Sequence, residues 1–412
     1  MKTNRRGLLK LVLSGAAALL VQANGFSNTL KSSDSSSKSS TGQPKVLLAS
    51  SNTKDTSTNR VSATPKEVLC ESYFPVLKLN EGEREYFYLC SAKKVTVGYG
   101  TNTEDNPKAL TNVNIYRNKK LLTDTERAAF FKKMEQNPGK EWRKLQEEIQ
   151  KLKEEEKQLT QKGKGSTLKL QEIRKRLETN KQKLNICDAK VEKYKAELKQ
   201  FTIQLCDAEK MARTDMSKTF NCLERTCVDP DTNESYFSDL PMCMQIMTLD
   251  IYYNIGGPKF DNYQKYQAAL RRGDFATATK ESTVYTNPAK KEVNINRELR
   301  KQRSLAVMNI VQNNYKKNIS EILKLIAQDH NQAKLNEKPG NRKANLEAEA
   351  SLAFGEYLNC HRILAQTCPE EACPIPTKEL LPGYIKECQK MILIYANQNN
   401  NSLQRNQQNQ SR

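Results

Sequence analysis

The sequence of 412 residues is poor in two side chains that often carry chemistry, because it has only two histidines and one tryptophan. His330 lies in a polar run, and His361 directly follows Cys360. Neither histidine has a nucleophile or a metal ligand at a recognisable spacing. Catalysis by histidine is therefore not expected, and the sequence predicts no metal site and no cofactor.

The N-terminal region lacks a hydrophobic run long enough to cross a membrane. Its apolar stretch extends from Leu8 to Ala23 and has about 16 residues, whereas a spanning helix needs about 20. The stretch follows "NRRGLLK", a pattern of twin-arginine export signals, and ends at a small residue suited to cleavage. We predict a signal peptide over residues 1–23 and an exported protein, periplasmic or secreted. An uncleaved anchor is the alternative.

Acidic residues are too few to balance the basic ones, since 67 Lys and Arg face 47 Asp and Glu and leave a net charge of +20. Such an excess predicts an anionic partner or surface. A bacterial envelope rich in phosphate and carboxylate is one candidate and nucleic acid is another. The basic residues are spread along the chain without a recognition-helix or RNA-binding motif, so charge alone does not decide.

Eleven cysteines agree with an oxidising compartment, and their odd number leaves at least one thiol unpaired or paired between chains. Cys222 and Cys227 in "NCLERTC" lack zinc-ligand spacing, as do the four cysteines between positions 360 and 388. The sequence therefore predicts disulfides at these positions.

Changes in composition divide the chain into segments, and the expected fold class is α+β and mainly helical. A Ser/Thr/Lys-rich stretch and an Asn/Gln-rich chain end are typical of disorder. The predicted segments are a signal peptide (1–23), a linker (24–63), a first folded segment (64–140), a coiled-coil hairpin (141–214), a second folded segment (215–312), a Cys-containing helical module (313–396) and a polar tail (397–412).

Two helix starts are visible in the first folded segment. Thr64, Pro65 and Glu67 form the pattern of a capping box with proline in the first turn. The helix that follows is expected to kink or restart at Pro75. The sequence "LTDTERAAFFKKM" at 122–134 predicts a second capped, amphipathic helix.

The segment 141–214 has the pattern of an antiparallel coiled coil. Apolar residues recur at spacings of three and four, "KGKGS" (162–166) interrupts them, and after this break they continue over five heptads. The second arm is expected to be about 60 Å long and to serve as a spacer or as a surface for a protein partner. Cys187 and Cys206 would lie about 28 Å apart on that arm, too far to form a disulfide.

The stretch "LNEGEREYFYLCSAKKVTVGYGTN" holds the candidate catalytic residues Glu81, Cys90 and Thr96. Glu81 is expected at the end of a helix, where the negative end of the helix dipole disfavours an ionised carboxylate. Gly82 follows and lets the chain turn. Cys90 and Thr96 lie at the start and in the middle of a predicted hairpin. Glycoside cleavage needs such a protonated acid, together with a second group that handles water.

This stretch resembles the active-site segment of the phage-type lysozymes, glycoside hydrolase family 24. In that family a Glu is followed after eight residues by an Asp or Cys and after five more by a Thr. "LTDTERAAFFKKM" is similar to the start of the family's interlobe helix, "IMTLDIYYNIGGPKFDNYQKYQAALRRGDFATA" to its core helix and the elements after it, and "NRELRKQR" to its late arginine-bearing helix. The resemblance covers about 64–138 and 215–312.

The resemblance implies a two-lobed lysozyme domain, with the coiled coil inserted and the helical module appended, that hydrolyses the MurNAc–GlcNAc bond of peptidoglycan. Glu81 would protonate the leaving oxygen, Cys90 would replace the usual aspartate, and Thr96 would help to hold the attacking water. The implied partners are peptidoglycan and the anionic envelope, and no nucleic acid is expected.

The same resemblance implies roles for residues late in the chain. Arg297, or Arg300 in its place, would orient the glutamate from the second lobe. Asn254 and Gly256 would shape the wall of the cleft.

The chain departs from the family pattern at two positions. Thr101 stands where many members have histidine after "GYG". Cys90 carries less negative charge than a carboxylate. By analogy with exported members that lock such a cysteine, we hypothesise that Cys70 and Cys90 bridge and silence the enzyme. The alternative is that Cys70 is a buried thiol or pairs elsewhere.

Two other functions fit the same residues. A catalytically silent protein would keep the lysozyme scaffold only to bind glycan and partners. A lytic transglycosylase would use Glu81 alone and leave an anhydro-sugar end instead of adding water.

Overall fold

The computed structural model of the protein describes residues 62–161, 167–283, 285–287, 292–333, 335 and 337–410. The predicted signal peptide and nearly all of the predicted linker lie outside these residues. The described chain is mainly helical with small antiparallel sheets, which confirms the expected helical bias. It divides into a hairpin unit (80–218) and a helical unit (62–79 and 219–410).

The helices, numbered along the chain, are α1 (Pro65–Glu81), α2 (Asp124–Glu135), α3 (Gly139–Gln161), α4 (Thr167–Leu198), α5 (Leu205–Thr226), α6 (Met242–Ile255), α7 (Gly257–Phe260), α8 (Gln264–Arg271), α9 (Phe275–Glu281), α10 (Ile295–Asn314), α11 (Ile319–Gln332), α12 (Pro339–Leu364) and α13 (Leu381–Gln410). The strands are β1 (Tyr88–Leu89), β2 (Val95–Val97), β3 (Thr101–Asn102), β4 (Tyr116–Arg117), β5 (Lys120–Leu121), β6 (Phe201–Thr202), β7 (Tyr285–Asn287) and β8 (Glu292–Val293). Among the helices of the described residues, none combines the length and the apolar composition that a membrane-spanning helix needs.

Both predicted helix starts are confirmed. At α1, the N–H of Thr64 donates to Glu67 Oε2 at 2.9 Å, and the N–H of Glu67 donates to Thr64 Oγ1 at 3.3 Å. The hydrogen bond from the Thr64 N–H holds the pKa of the Glu67 carboxyl group below its usual value. A second reciprocal pair, Thr123 with Glu126, caps α2. The helix α1 continues through Pro75, so the proline does not restart it.

In the hairpin unit, α3 and α4 form the predicted antiparallel pair. Their core is built from apolar residues that recur at heptad spacing, Ile149 and Leu152 on α3 and Ile173 and Leu177 on α4. Polar contacts along the arms fix the direction. Trp142 bonds Asp188 near the base and Glu156 pairs with Arg174 further out, so residue numbers rise on one arm as they fall on the other.

The second arm is shorter than expected. The helix α4 has 32 residues and ends at Leu198, a length of about 48 Å. Phe201 then forms β6, and Leu205 begins α5. The heptad spacing continues in the sequence, but β6 pairs with β4 and ends the coiled coil. Cys187 and Cys206 therefore lie on different helices, which corrects their predicted placement on one arm.

In the helical unit, α6 and α12 contain the longest continuously buried segments. Every residue from Met242 to Ile251 is buried, as is nearly every residue of α12 between Leu346 and His361. The helix α12 packs against α6, α10, α11 and α13. The predicted module 313–396 therefore lies in the same compact unit as residues 219–312.

The C-terminal segment is helical, which differs from the prediction. The segment 397–412 was expected to be a disordered tail, but α13 continues to Gln410. No proline or glycine follows Gly383 in the sequence, so nothing local ends the helix.

The cysteines contradict the expected disulfides. No disulfide joins any of the eleven, all of which lie in the described residues. Burial raises the pKa of Cys227 and of Cys388 to about 12, so both stay protonated and serve as small apolar core residues. The thiol of Cys373 lies 3.1 Å from the hydroxyl of Tyr357.

The close approach of α12 to α1 gives a first testable prediction. A Cβ atom on Gly355 would overlap the hydroxyl of Ser72 and lie 2.9 Å from its Cβ. We expect Gly355→Ala to lower the free energy of unfolding by about 1–3 kcal/mol, since the buried neighbours cannot move away freely. Urea denaturation measures the change. Gly340→Ala in the same helix meets no atom within 4 Å and is the control, with an expected gain of about 0.5–1 kcal/mol. Equal effects of the two substitutions would contradict the packing argument.

Candidate active site

Glu81 is the last residue of α1, as the sequence predicts, and Gly82 follows in a left-handed conformation with φ 74°. The carboxyl group of Glu81 lies against Gly100. A Cβ on Gly100 would be 3.2 Å from Oε2 and from Cγ of Glu81, and the φ of Gly100 is 87°. Glycine is thus required at position 100 both for its backbone conformation and for the space that the carboxyl group occupies.

The predicted hairpin after Glu81 is present. Strands β1, β2 and β3 form an antiparallel sheet in which Thr96 pairs with Tyr88 on one side and with Asn102 on the other. Cys90 begins the turn between β1 and β2, and its carbonyl accepts the N–H of Lys93 at 2.8 Å. Thr96 is 2% exposed, and its hydroxyl donates to the carbonyl of Lys94 at 3.1 Å.

Tyr88 links the three candidate catalytic residues and was missed by the sequence analysis. It faces Thr96 across the sheet, and the guanidinium carbon of Arg84 lies 4.2 Å from the centre of its ring. Burial raises the pKa of Tyr88 well above its usual value, and the charges of Glu81 and Cys90 raise it further, against the effect of Arg84. The phenol therefore stays protonated and can donate a hydrogen bond. Its position two residues before Cys90 was the available signal.

Thr101, which replaces the histidine expected from the resemblance, lies near a second carboxyl group. Thr101 is 1% exposed and its hydroxyl makes no hydrogen bond of normal length within the described residues. Asp215 on α5 interacts with this hydroxyl at longer range. Burial raises the pKa of Asp215, while Lys218 and Thr101 lower it by less. Asp215 was not identified from the sequence, because it is over a hundred residues away from Thr101.

The base of the coiled coil holds the turn that contains Cys90. Asn137 and Arg143 both donate to the carbonyl of Lys93, at 2.9 and 3.0 Å. A Cβ atom on Gly139 would overlap this same carbonyl oxygen. The ammonium group of Lys93 lies 5.4 Å from the centre of the Trp142 ring. The inserted hairpin is therefore fastened directly to the turn, a connection that no local sequence pattern indicated.

Glu104 also contacts the two residues that hold the Lys93 carbonyl, Arg143 and Asn137. Its carboxylate forms an ion pair with Arg143 and accepts a hydrogen bond from Asn137, and one of its oxygens also accepts the N–H of Val95 at 3.3 Å. The side chain of Glu104 is only 6% exposed. Because a buried carboxylate needs its partners, Arg143 and Asn137 are constrained to stay at the turn.

The other predicted site residues lie in the helical unit, around Asp250 of α6. Arg297 is in the first turn of α10, and its Nε lies 3.3 Å from Asp250 Oδ2. The hydroxyl of Tyr73 donates to Asp250 Oδ1 at 3.0 Å, and the side-chain amide of Asn254 donates to the Asp250 carbonyl at 2.6 Å. Asp250 is thus the shared partner, and the sequence analysis did not identify it.

The two remaining predicted residues, Gly256 and Arg300, also lie in the helical unit. Gly256 ends α6 with φ 77°, a conformation that favours glycine. The guanidinium Nε of Arg300 donates to Asn345 of α12 at 3.3 Å, and burial lowers the pKa of Arg300. Of the two arginines proposed for one role, Arg297 lies within ion-pair distance of a carboxylate, that of Asp250.

Comparison of the chain with protein-family models, with curated proteins and with solved structures gives no match to any of them.

Both histidines lie in the helical unit. The ring nitrogens of His330 face Glu349 at 2.9 Å and Glu337 at 3.2 Å. His361 accepts the N–H of Cys373 at 3.1 Å, and burial lowers the pKa of His361.

The predicted disulfide between Cys70 and Cys90 is absent, and Cys70 lies within α1. The roles of Glu81, Cys90, Thr96, Arg297, Asn254 and Gly256 stay predictions.

The raised pKa of Asp215 predicts a pH-dependent effect on stability. A carboxyl group whose pKa is higher in the folded state favours folding when protonated, so its ionisation destabilises the protein as pH rises. We therefore expect Asp215→Asn to raise the melting temperature at pH 7. The gain should shrink as pH falls and the native carboxyl group becomes protonated. Thermal melts between pH 4 and pH 8 measure it, with Asp188→Asn on the coiled coil as control. A gain that is constant with pH would contradict the assignment.

The attachment of the turn to the coiled coil gives a third prediction. We expect Arg143→Gln to lower the free energy of unfolding by about 1–3 kcal/mol, because Glu104 loses its charged partner. The turn should also loosen, so that iodoacetamide alkylates Cys90 several-fold faster. Peptide mass spectrometry measures this rate, with the exposed Cys206 as internal reference. The matched control is Arg174→Gln, which breaks the exposed pair with Glu156 far from the turn. If Cys90 reacts at the same rate in both variants, the turn does not depend on Arg143.

Proposed function

We propose that this protein is an exported lysozyme of the phage type that hydrolyses the MurNAc–GlcNAc bond of peptidoglycan. The observation that carries the proposal is the placement of Glu81, at a helix end with its carboxyl group against Gly100, beside a hairpin with Cys90 and Thr96 at the family spacing. The resemblance of segments within 64–138 and 215–312 to the phage-type lysozymes supports the proposal. The net charge of +20 suits an anionic envelope.

Glu81 is proposed as the general acid. The N–H of Gly98 donates to the carbonyl of Arg84 at 3.0 Å, so residues 81–84 are held at both ends against the turn Gly98–Gly100. A fixed carboxyl group at a helix end is suited to keep a proton and to give it to the leaving oxygen. Tyr88, whose phenol stays protonated, is placed to donate a hydrogen bond in the same region.

Thr96 and Cys90 are proposed to handle the attacking water. The Thr96 hydroxyl already donates to the Lys94 carbonyl, so its oxygen is suited to accept a hydrogen bond from water. Cys90 occupies the family's aspartate position, and its turn is held in place by the coiled coil. The hydrolysis adds water across the bond, with one proton passing from Glu81 to the leaving sugar and one returning from the water.

The hydrolase is tested with Glu81→Gln. We expect this substitution to reduce the clearing of purified peptidoglycan by about 10²–10⁴-fold, the usual contribution of a general acid. Glu85→Gln is the control, since Glu85 is an exposed carboxylate four residues away. Product masses that include one added water distinguish hydrolysis from transglycosylation.

Each alternative function predicts a different experimental outcome. Anhydro-sugar ends would assign a lytic transglycosylase. Binding of peptidoglycan without any cleavage by the native protein would assign a binding protein on a lysozyme scaffold. Full activity of Glu81→Gln would remove Glu81 from the mechanism.

A further inference from the structure

A short hairpin in the hairpin unit carries an unusual concentration of positive charge. Strands β4 and β5 are joined by a two-residue turn, Asn118–Lys119, in which both residues are left-handed, with φ 49° and 68°. Turns of this kind prefer glycine at the second position. Lys119 occupies it at a conformational cost, since a residue with a side chain rarely adopts this φ.

The residues that flank the turn add a second unfavourable feature. Arg117 and Lys120 are direct cross-strand partners, and like charges in that relation repel. A third cation, Lys199, lies just before β6, which pairs with β4 on its other side. The adjoining Gln200 accepts the Asn118 N–H at 3.1 Å and an Arg117 N–H at 3.3 Å, so this loop is held at the turn.

No carboxylate neutralises this group, which we call the basic edge (Arg117, Lys119, Lys120 and Lys199). Within the described residues, none of the four forms an ion pair. Arg117 and Lys120 lower the pKa of Glu126 only as minor contributors, because Glu126 is engaged with Thr123 in the cap of α2. A strained turn and a like-charge pair that no ion pair offsets point to function.

The basic edge is connected to the candidate active site by aromatic residues. Lys199 lies 6.0 Å from the ring centre of Tyr86, and Tyr86 contacts Tyr88 edge-on at 6.4 Å. Tyr86 also forms an antiparallel bridge with Thr202 of β6. Cations and aromatic rings thus follow one path from the turn to Tyr88.

We propose that the basic edge binds the carboxylates of a peptidoglycan strand whose glycosidic bond lies at Glu81. The choice of polymer rests on the proposed function, while the surface itself rests on the turn, the cross-strand pair and the missing ion pairs. Peptidoglycan combines sugar rings, which suit the aromatic residues, with carboxylates on its lactyl and peptide groups.

Lys119→Gly separates this role from a structural one. Glycine removes the conformational cost and one repelling charge, so the melting temperature should rise. Binding to peptidoglycan should weaken several-fold. Binding is measured by sedimentation with peptidoglycan purified free of teichoic acid, in the full chain carrying Glu81→Gln so that the polymer stays intact. A lower melting temperature, or unchanged binding, would overturn the proposal.

A triple variant tests the rest of the surface. Arg117→Gln, Lys120→Gln and Lys199→Gln together should weaken binding and flatten its dependence on salt. The control triple, Lys151→Gln, Lys169→Gln and Lys175→Gln, removes the same charge from exposed lysines of the coiled coil and should bind like the parent. Equal losses in both triples would show an effect of net charge alone and overturn the proposal.

Two further polymers complete the test. Chitin has a similar sugar backbone without carboxylates, and its binding should not respond to the triple variant. A loss of duplex DNA binding in that variant without a loss of peptidoglycan binding would assign the surface to nucleic acid. If the variants bind as expected but the native protein cleaves no peptidoglycan, the proposed hydrolase activity is wrong and the proposed binding surface is still supported.

Discussion

The arrangement around Glu81 depends on the absence of two side chains, those of Gly98 and Gly100. The carboxyl group of Glu81 occupies the space beside the Gly100 Cα, and a Cβ on Gly98 would come within 2.8 Å of the Cβ of Ala208 on α5. The N–H of Gly98 also holds the carbonyl of Arg84. One glycine turn therefore brings the segment after α1, the hairpin and the start of α5 within contact of each other. Its left-handed backbone is accessible because neither residue has a Cβ.

The coiled coil takes part in the same arrangement, since its base holds the other end of the β1–β2 hairpin. Asn137, Arg143 and Gly139 converge on a single carbonyl group, that of Lys93. Lys93 itself has φ 57°, so this carbonyl points where a right-handed residue would not direct it. The candidate residue Cys90 thus lies in a turn whose conformation is fixed from outside the turn. An insertion that looks like a spacer in the sequence is a supporting element of the candidate site.

Local patterns in the sequence predicted local structure well. Both capping boxes, the end of α1 at Glu81 and the antiparallel coiled coil depend on spacings within a few residues. Several errors came from long-range contacts. Phe201 and Leu205 continue the heptad spacing by chance, but Phe201 pairs with Arg117, 84 positions earlier in the chain. Cysteine count and spacing could not reveal that burial places several thiols in the core without partners. Asp215 and Asp250 were missed because their significance depends on neighbours from distant segments, whereas the neighbours of Tyr88 are local and its position two residues before Cys90 was an unused signal.

The pairing of β4 with β6 has a consequence for the order of folding. These strands are separated in sequence by the whole of α2, α3 and α4, and closing so long a flexible loop carries a large entropic penalty. When α3 and α4 pair by local contacts, the effective loop contracts to residues 118–138, which include β5 and α2, and to the two residues before β6. The coiled coil then acts as a folding guide for the sheet. Longer or shorter α3 and α4 helices with the same base would bring β4 and β6 together equally well. The length of the coiled coil could therefore change in evolution without disturbing this sheet.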